Sequence, residues 1–159
     1  MNTTLPGAWR LYARAMAFVL AVLFAVGTAG HLVAHTLPWM LVLTPGFLLL
    51  TSGAVAVPSL AADGRRFALW AAGAYALTFA AEAVGVATGA VFGEYVYGRT
   101  LGWKVWDVPV IIAFNWVMVV NGAICIAGRI LPSRADAGRR IALPLLAGAI
   151  AAAFDWVME

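Results

Sequence analysis

Five apolar runs, each long enough to cross the hydrocarbon core of a bilayer, constrain this chain more than any other feature. A membrane-spanning helix needs about 20 predominantly apolar residues. The runs cover residues 15–35, 37–60, 67–90, 109–130 and 141–159. None alternates apolar and polar residues as a membrane strand does, and helices are the other way to satisfy backbone groups in lipid. The sequence therefore predicts an all-α, polytopic membrane helical bundle of about five transmembrane helices, forming a single domain over residues 1–159.

The composition favours the same class of protein. Hydrophobic residues make up 64% of the chain and charged residues only 11%, far from the balance of a soluble domain. A formal net charge of +3 could suggest a nucleic-acid partner. The basic residues lie between the apolar runs, however, which is typical of membrane topology and argues against nucleic acid. The single cysteine, Cys125, excludes an internal disulfide.

The distribution of basic residues predicts how the chain is oriented. Eight of the ten Lys and Arg residues lie before the first run, between the second and third, or between the fourth and fifth: Arg10, Arg14, Arg65, Arg66, Arg129, Arg134, Arg139 and Arg140. Such an excess marks the cytoplasmic side. We therefore expect a multi-pass cell-membrane protein with a cytoplasmic N-terminus and the 91–108 loop outside. The alternative, that the first run is a signal peptide, is less favoured because the run continues past the small residues at 28–30.

Four polar side chains interrupt the apolar runs at a similar depth. With a rise of about 1.5 Å per residue, each lies roughly 6–12 Å from the predicted outer end of its span. They are His31, Glu82, Asn115 and Asp155. By the same count, no side chain of comparable polarity lies in the inner half of the membrane. Because ionisable residues inside a membrane are costly and usually functional, this pattern predicts a site in the outer half.

The spacing of these residues predicts which faces they share. Thr78, Glu82, Gly85 and Gly89 lie on one narrow face of the predicted helix. Glu82 should therefore face a groove that is lined by glycine. A ligand or another helix could approach closely there.

Two polar pairs are also spaced by one helical turn. His31 and His35 should share a face, as should Asp155 and Glu159. The two histidines lack the intervening glutamate of the HExxH motif, so we predict no metal site.

Structural alternatives stay open for several of these residues. Gly89 and Gly93 could end the third helix as C-caps. If Glu82 is structural, it needs a buried partner, which Arg99 or Lys104 could supply. Four aromatic residues could form a belt at the membrane interface: Tyr95, Tyr97, Trp103 and Trp106.

The segment 82–116, EAVGVATGAVFGEYVYGRTLGWKVWDVPVIIAFNW, resembles the carotenoid biosynthesis membrane proteins. These include the CruF-type carotenoid hydratases and the bisanhydrobacterioruberin hydratases. The closing segment 155–159, DWVME, is similar to a family motif with two acidic residues four positions apart. The resemblance runs from the third span onward, whereas the first two spans match only in character. Family members continue with a proline, an aromatic loop and further helices, so the resemblance implies a C-terminally truncated chain.

This resemblance implies an enzyme, a hydro-lyase that hydrates the terminal C=C of a linear carotenoid within the bilayer. A carboxylic acid would protonate the alkene, and water would capture the resulting tertiary cation, with no cofactor required. The candidate catalytic residues are Glu82, Asp155, His31 and Glu159. The candidate substrate-binding residues are Tyr95, Tyr97, Trp103, Asn115, Trp116, Gly85 and Gly89. Which carboxylate donates the proton is left open.

Other functions are compatible with the same residues. A related reaction, cyclisation or isomerisation of the end group, would start with the same protonation. A non-enzymatic carotenoid-binding or transport subunit belongs to a different class, and an oligomer or a complex of pathway proteins is also open. A proton-coupled transporter fits less well, because the polar groups cluster near one membrane face and do not form a relay across it.

Overall fold

A computed structural model describes residues 7–90, 93–132 and 137–158 as five long helices and one short hairpin. The helices are α1 (Gly7–Leu32), α2 (Leu37–Asp63), α3 (Arg65–Thr88), α4 (Val110–Ile130) and α5 (Ala137–Met158), and the antiparallel hairpin pairs β1 (Lys104–Val105) with β2 (Val108–Pro109). All five helices are long and apolar enough to cross a membrane. The predicted all-α membrane bundle is confirmed.

The bounds of α1 differ most from the prediction. The helix begins at Gly7, eight residues before the predicted start, and Tyr12 in its second turn donates a hydrogen bond to the Ala54 carbonyl of α2 (2.8 Å). It ends at Leu32, where a turn begins, and the Thr36 hydroxyl in that turn donates back to the Gly30 carbonyl (2.7 Å). His35 therefore lies outside the helix. The prediction that His31 and His35 share a helical face is wrong.

Helix α4 is the centre of the bundle. It packs against α2, α3 and α5, and most of the fully buried apolar residues belong to it. Its contact with α5 is built on small side chains, with Ala123 and Ala127 facing Ala147. Small residues allow helix backbones to approach closely in lipid, where van der Waals packing drives association. Helix α1 packs on α2, away from this centre.

One polar contact joins the middle of α4 to the last turns of α2. The Asn121 side-chain amide donates to the Ser59 hydroxyl of α2 (3.2 Å). Asn121 follows Val110 by eleven residues and precedes Ile130 by nine, so it lies about 16 Å and 14 Å from the helix ends. The expectation that polar side chains are confined to the outer half is therefore wrong. Because the Asn121 amide finds an acceptor on a neighbouring helix, it is tolerated at this depth.

We predict that Ala127→Leu destabilises the bundle. Ala127 is 0% exposed, so added methylene groups must displace α5, at a cost of about 1–3 kcal/mol. Thermal unfolding in detergent, followed by helical circular dichroism, should show a lower melting temperature. Ala153→Leu, at an exposed position of α5, is the matched control. Equal melting temperatures for the two variants would contradict the packing described here.

Candidate functional site

The side chain of Glu82 is the buried polar centre of the structure. It is 4% exposed, although it lies on a membrane helix. Its Oε2 accepts hydrogen bonds from the hydroxyls of Tyr95 (2.7 Å) and Tyr97 (2.8 Å). Its Oε1 accepts a hydrogen bond from the indole Nε1 of Trp116 on α4 (2.7 Å). Three donors therefore converge on one carboxylate, which we call the Glu82 site.

The loop after α3 returns the two tyrosines to Glu82. Gly89 ends α3 with φ +65°, and its N–H donates to the Gly85 carbonyl (2.8 Å). This left-handed C-cap is the structural alternative that the sequence left open for Gly89. Because the chain reverses there, the rings of Tyr95 and Tyr97 meet edge to face, with centroids 5.3 Å apart. Both hydroxyls then reach the same carboxylate oxygen.

No cation pairs with Glu82 among the described residues. The ammonium group of Lys104 donates instead to the Tyr97 backbone carbonyl. Arg99 is exposed in the same loop. The alternative in which Arg99 or Lys104 pairs with Glu82 is therefore wrong. Lys104 supports the site indirectly, because it ties the hairpin to the backbone of a residue that binds Glu82.

The predicted stripe on α3 faces α4. The Tyr75 hydroxyl donates to the Val110 carbonyl (3.0 Å), and Thr78 approaches the Ala113 carbonyl (3.5 Å). Glu82 and Gly85, further along the stripe, are both buried. Tyr75 was not singled out from the sequence, although it lies seven residues before Glu82. Helical spacing around the carboxylate would have identified it.

The hairpin carries two exposed tryptophans and an unusual turn. Its two central residues, Trp106 and Asp107, have φ +49° and +64°. For residues other than glycine, this left-handed conformation costs roughly 1–2 kcal/mol per residue. The Trp106 ring lies 6.3 Å from that of Phe79, which stacks on Tyr75 at 6.1 Å. An aromatic row therefore runs along α3 beside the Glu82 site.

An apolar groove opens beside this row, between the loop and three helices. Its volume is about 370 Å³. Its lining residues are Pro45, Leu49, Tyr75, Leu101, Gly102, Trp103, Val110, Ile111 and Phe114. Trp103, predicted to bind substrate, lies at this groove and does not contact Glu82. We call this space the Trp103 groove.

The surroundings of the site raise the pKa of both tyrosines above that of a free phenol. Burial raises the pKa of Tyr95 to about 12, with further contributions from its hydrogen bond to Glu82 and from the charges of Glu82 and Asp155. The pKa of Tyr97 is raised still further, first by burial and then by Glu82. Both phenols are therefore available as hydrogen-bond donors. The α5 carboxylate of Asp155 is therefore within electrostatic range of Tyr95.

The other predicted site residues lie apart from Glu82 or beyond the described residues. His31 is exposed, and its Nδ1 donates to the Gly27 carbonyl of its own helix (2.7 Å). Asn115 is half-buried, and its side chain makes no hydrogen bond within the part of the chain that the structure describes. Glu159 lies outside that part. Within it, no three His, Cys, Asp or Glu side chains are grouped as a metal ion would require.

We predict that Trp116→Phe lowers stability by removing the donor to Oε1. A buried acceptor that loses its partner costs about 1–3 kcal/mol, while the phenyl ring retains much of the apolar contact. Thermal unfolding in detergent should show the loss. Trp156→Phe, at a position that is 82% exposed, is the control and should melt like the wild type. A Trp116→Phe protein as stable as the control would contradict the hydrogen bond to Glu82.

We predict that stability falls as the pH rises from about 10 to about 12. Below pH 10, Tyr95 is protonated in both the folded and the unfolded chain. Above it, the unfolded chain loses this proton while the folded protein keeps it up to about 12, so unfolding becomes more favourable. Denaturation measured across this range should show a smaller decline for Tyr95→Phe. An identical decline in both proteins would contradict the raised pKa.

One of three comparisons with known proteins gave a match. The model of one protein family, described as carotenoid biosynthesis protein, matches residues 43–159. The match begins within α2, so it reaches further toward the N-terminus than the resemblance seen in the sequence. Neither the curated proteins nor the solved structures gave a match. Because the family match covers most of the chain, this protein belongs to the carotenoid biosynthesis protein family.

Proposed function

We propose that this protein hydrates the terminal C=C of a linear carotenoid end group. The observation that carries the proposal is the Glu82 site, a buried carboxylate surrounded by aromatic donors in a membrane protein of a carotenoid biosynthesis family. A buried charge of this kind is costly in lipid and usually serves a function. The reaction needs a proton donor, a stabilised cation and a water molecule.

The reaction begins with transfer of a proton from a carboxylic acid to the less substituted alkene carbon. The π electrons form the new C–H bond, leaving a tertiary cation on the neighbouring carbon and a carboxylate on the protein. Water then adds to the cation, and the carboxylate accepts the proton that the water releases. The net change is addition of one water molecule, and the acid is regenerated. No redox partner enters this balance.

Asp155 fits the role of the acid better than Glu82 does. Both oxygens of Glu82 already accept hydrogen bonds from side chains of the protein, so both are engaged in holding the loop and α4. Asp155 is only half-buried and lies near Tyr95. We therefore assign proton transfer to Asp155. His31 takes no part in this scheme, because it is exposed at the end of α1.

Glu82 would stabilise the cation electrostatically. A fixed negative charge in a site of low dielectric constant stabilises a developing positive charge without reorganisation. The ring faces of Tyr95 and Tyr97, which meet edge to face beside Glu82, attract cations as well. The three hydrogen bonds fix the carboxylate in place, so it is oriented before the substrate arrives.

The remainder of the substrate would lie along the aromatic row and in the Trp103 groove. Both surfaces are apolar, as an extended hydrocarbon requires. A linear carotenoid is about as long as the hydrocarbon core is thick, near 30 Å, so it can stand across the bilayer. In our proposal the 91–108 loop lies on the outer face of the cell membrane, and water enters from that side.

A second candidate function is carotenoid binding without catalysis. The observation that favours it is that donors of the same chain occupy both oxygens of Glu82. A carboxylate held in this way could serve only to fix the loop against α3 and α4. Under this alternative, the carotenoid would be bound and released without any chemical change to it.

Amide substitutions in a host that makes linear carotenoids test the proposal. Loss of an acid catalyst typically costs about 10²–10⁴-fold, so Asp155→Asn should abolish most of the hydroxylated product. We expect Glu82→Gln to reduce it as well, because the amide carries no charge to stabilise the cation. Glu94→Gln, at an exposed loop position, is the control.

Product analysis should be paired with immunodetection of each variant in the membrane. Full hydroxylation by Asp155→Asn and Glu82→Gln would disprove the proposed site. Carotenoid that copurifies unchanged with the wild-type protein would support the binding function instead.

A further inference from the structure

Two tryptophans project from the hairpin that follows the Glu82 site. Trp103 directly precedes β1, and Trp106 occupies the first position of the turn. They are 78% and 76% exposed. Unlike the exposed apolar residues of the five helices, these two indoles lie on a loop between spans, so what they contact is a separate question.

The backbone of the turn indicates that the Trp106 side chain itself has a role at the tip of the hairpin. A two-residue turn with positive φ at both central positions favours Asn-Gly, which adopts that conformation readily. Here the positions hold Trp106 and Asp107. The hairpin is otherwise well anchored, because Val108 and Pro109 are buried and the Val110 N–H donates to the Trp103 carbonyl (3.0 Å). An unfavourable residue at the tip of a rigid hairpin points to a contact outside the chain.

The position and charge of the loop identify the kind of partner. The loop joins two helices that are long enough to span a membrane, so it must lie close to a membrane boundary. Two acidic residues, Glu94 and Asp107, match two basic residues, Arg99 and Lys104, so its formal charge is zero. Attraction to anionic lipid therefore does not drive the contact. An indole, with an apolar ring and a polar N–H, prefers the boundary between headgroups and acyl chains.

We propose that the hairpin is a lipid-interface anchor, in which Trp103 and Trp106 insert at the headgroup–acyl boundary of the leaflet on the loop side. The anchor would fix the depth of the Glu82 site. Trp106 contacts Phe79, three residues before Glu82 on α3, and Lys104 in β1 binds the Tyr97 carbonyl. Through these two contacts, the position of the hairpin in the lipid would set the positions of α3 and of Tyr97 around the Glu82 carboxylate.

Fluorescence quenching in vesicles tests the anchor without any carotenoid. The wild-type chain and Trp106→Phe are each reconstituted in phosphatidylcholine that is brominated either near the headgroup or near the acyl-chain end. The difference in emission between the two proteins gives the contribution of Trp106, which is compared between the two lipids. We expect this component to be quenched several-fold more by shallow than by deep bromine, and little by aqueous iodide. High salt and added anionic lipid should leave the result unchanged. Predominant quenching by iodide or by deep bromine would overturn the proposal, as would protection from every quencher, which indicates a protein partner.

A double substitution separates a lipid contact from internal packing. Trp106→Asn with Asp107→Gly retains the turn, relieves the unfavourable backbone and removes the indole. We expect its melting temperature in detergent to equal or exceed that of the wild type, whereas Trp116→Phe melts lower. If the double variant loses as much stability as Trp116→Phe, Trp106 acts by packing on Phe79, and the anchor is disproved.

Discussion

The structure depends on keeping one buried carboxyl group acceptable inside a membrane helix. A carboxylate in hydrocarbon must find hydrogen-bond donors or a counter-charge. Glu82 finds three neutral donors, and they come from positions 13, 15 and 34 residues further along the chain. Both the loop and α4 must therefore fold against α3 before the carboxylate is satisfied. The same three bonds fix the aromatic rings around it.

Helix α4 supplies the scaffold for this arrangement. It contributes Trp116 to Glu82 and carbonyl groups to Tyr75 and Thr78 on one side, and it packs on α5 through alanines on the other. The close contact with α5 brings Asp155 near the loop, where its charge acts on Tyr95. The two carboxylates consequently have different environments. Glu82 is held by donors on both oxygens, and Asp155 is only half-buried.

Length and hydropathy were sufficient to predict the five spans, because in lipid each backbone must satisfy its own hydrogen bonds. The importance of Glu82 followed from its position in an apolar run. Its partners could not be predicted, since they depend on the left-handed backbone at Gly89 and on a long-range contact to Trp116. Electrostatic reasoning offered Arg99 or Lys104 as a possible partner, whereas the structure uses uncharged donors that cost less to bury.

Estimating the membrane depth of each polar residue from its position in the sequence gave several wrong expectations. It treats each helix as independent, so it grouped His31 and Asn115 with Glu82, although the described hydrogen bonds of Glu82 come from Tyr95, Tyr97 and Trp116. It also gave no reason to expect Asn121 at mid-depth in α4, where its amide donates to Ser59 of α2. The end of α1 at Leu32 depends on a local turn that hydropathy does not register, and this turn separates His35 from the helix.

The origin of the oxygen in the product tests the central claim most directly. The purified full chain is reconstituted with a linear carotenoid in water enriched in oxygen-18. It should yield a tertiary alcohol that carries this isotope. Asp155→Asn should yield none, and Glu94→Gln should match the wild type. A cyclised or otherwise rearranged product without added oxygen, or carotenoid recovered unchanged by the wild-type protein, would contradict hydration at the Glu82 site.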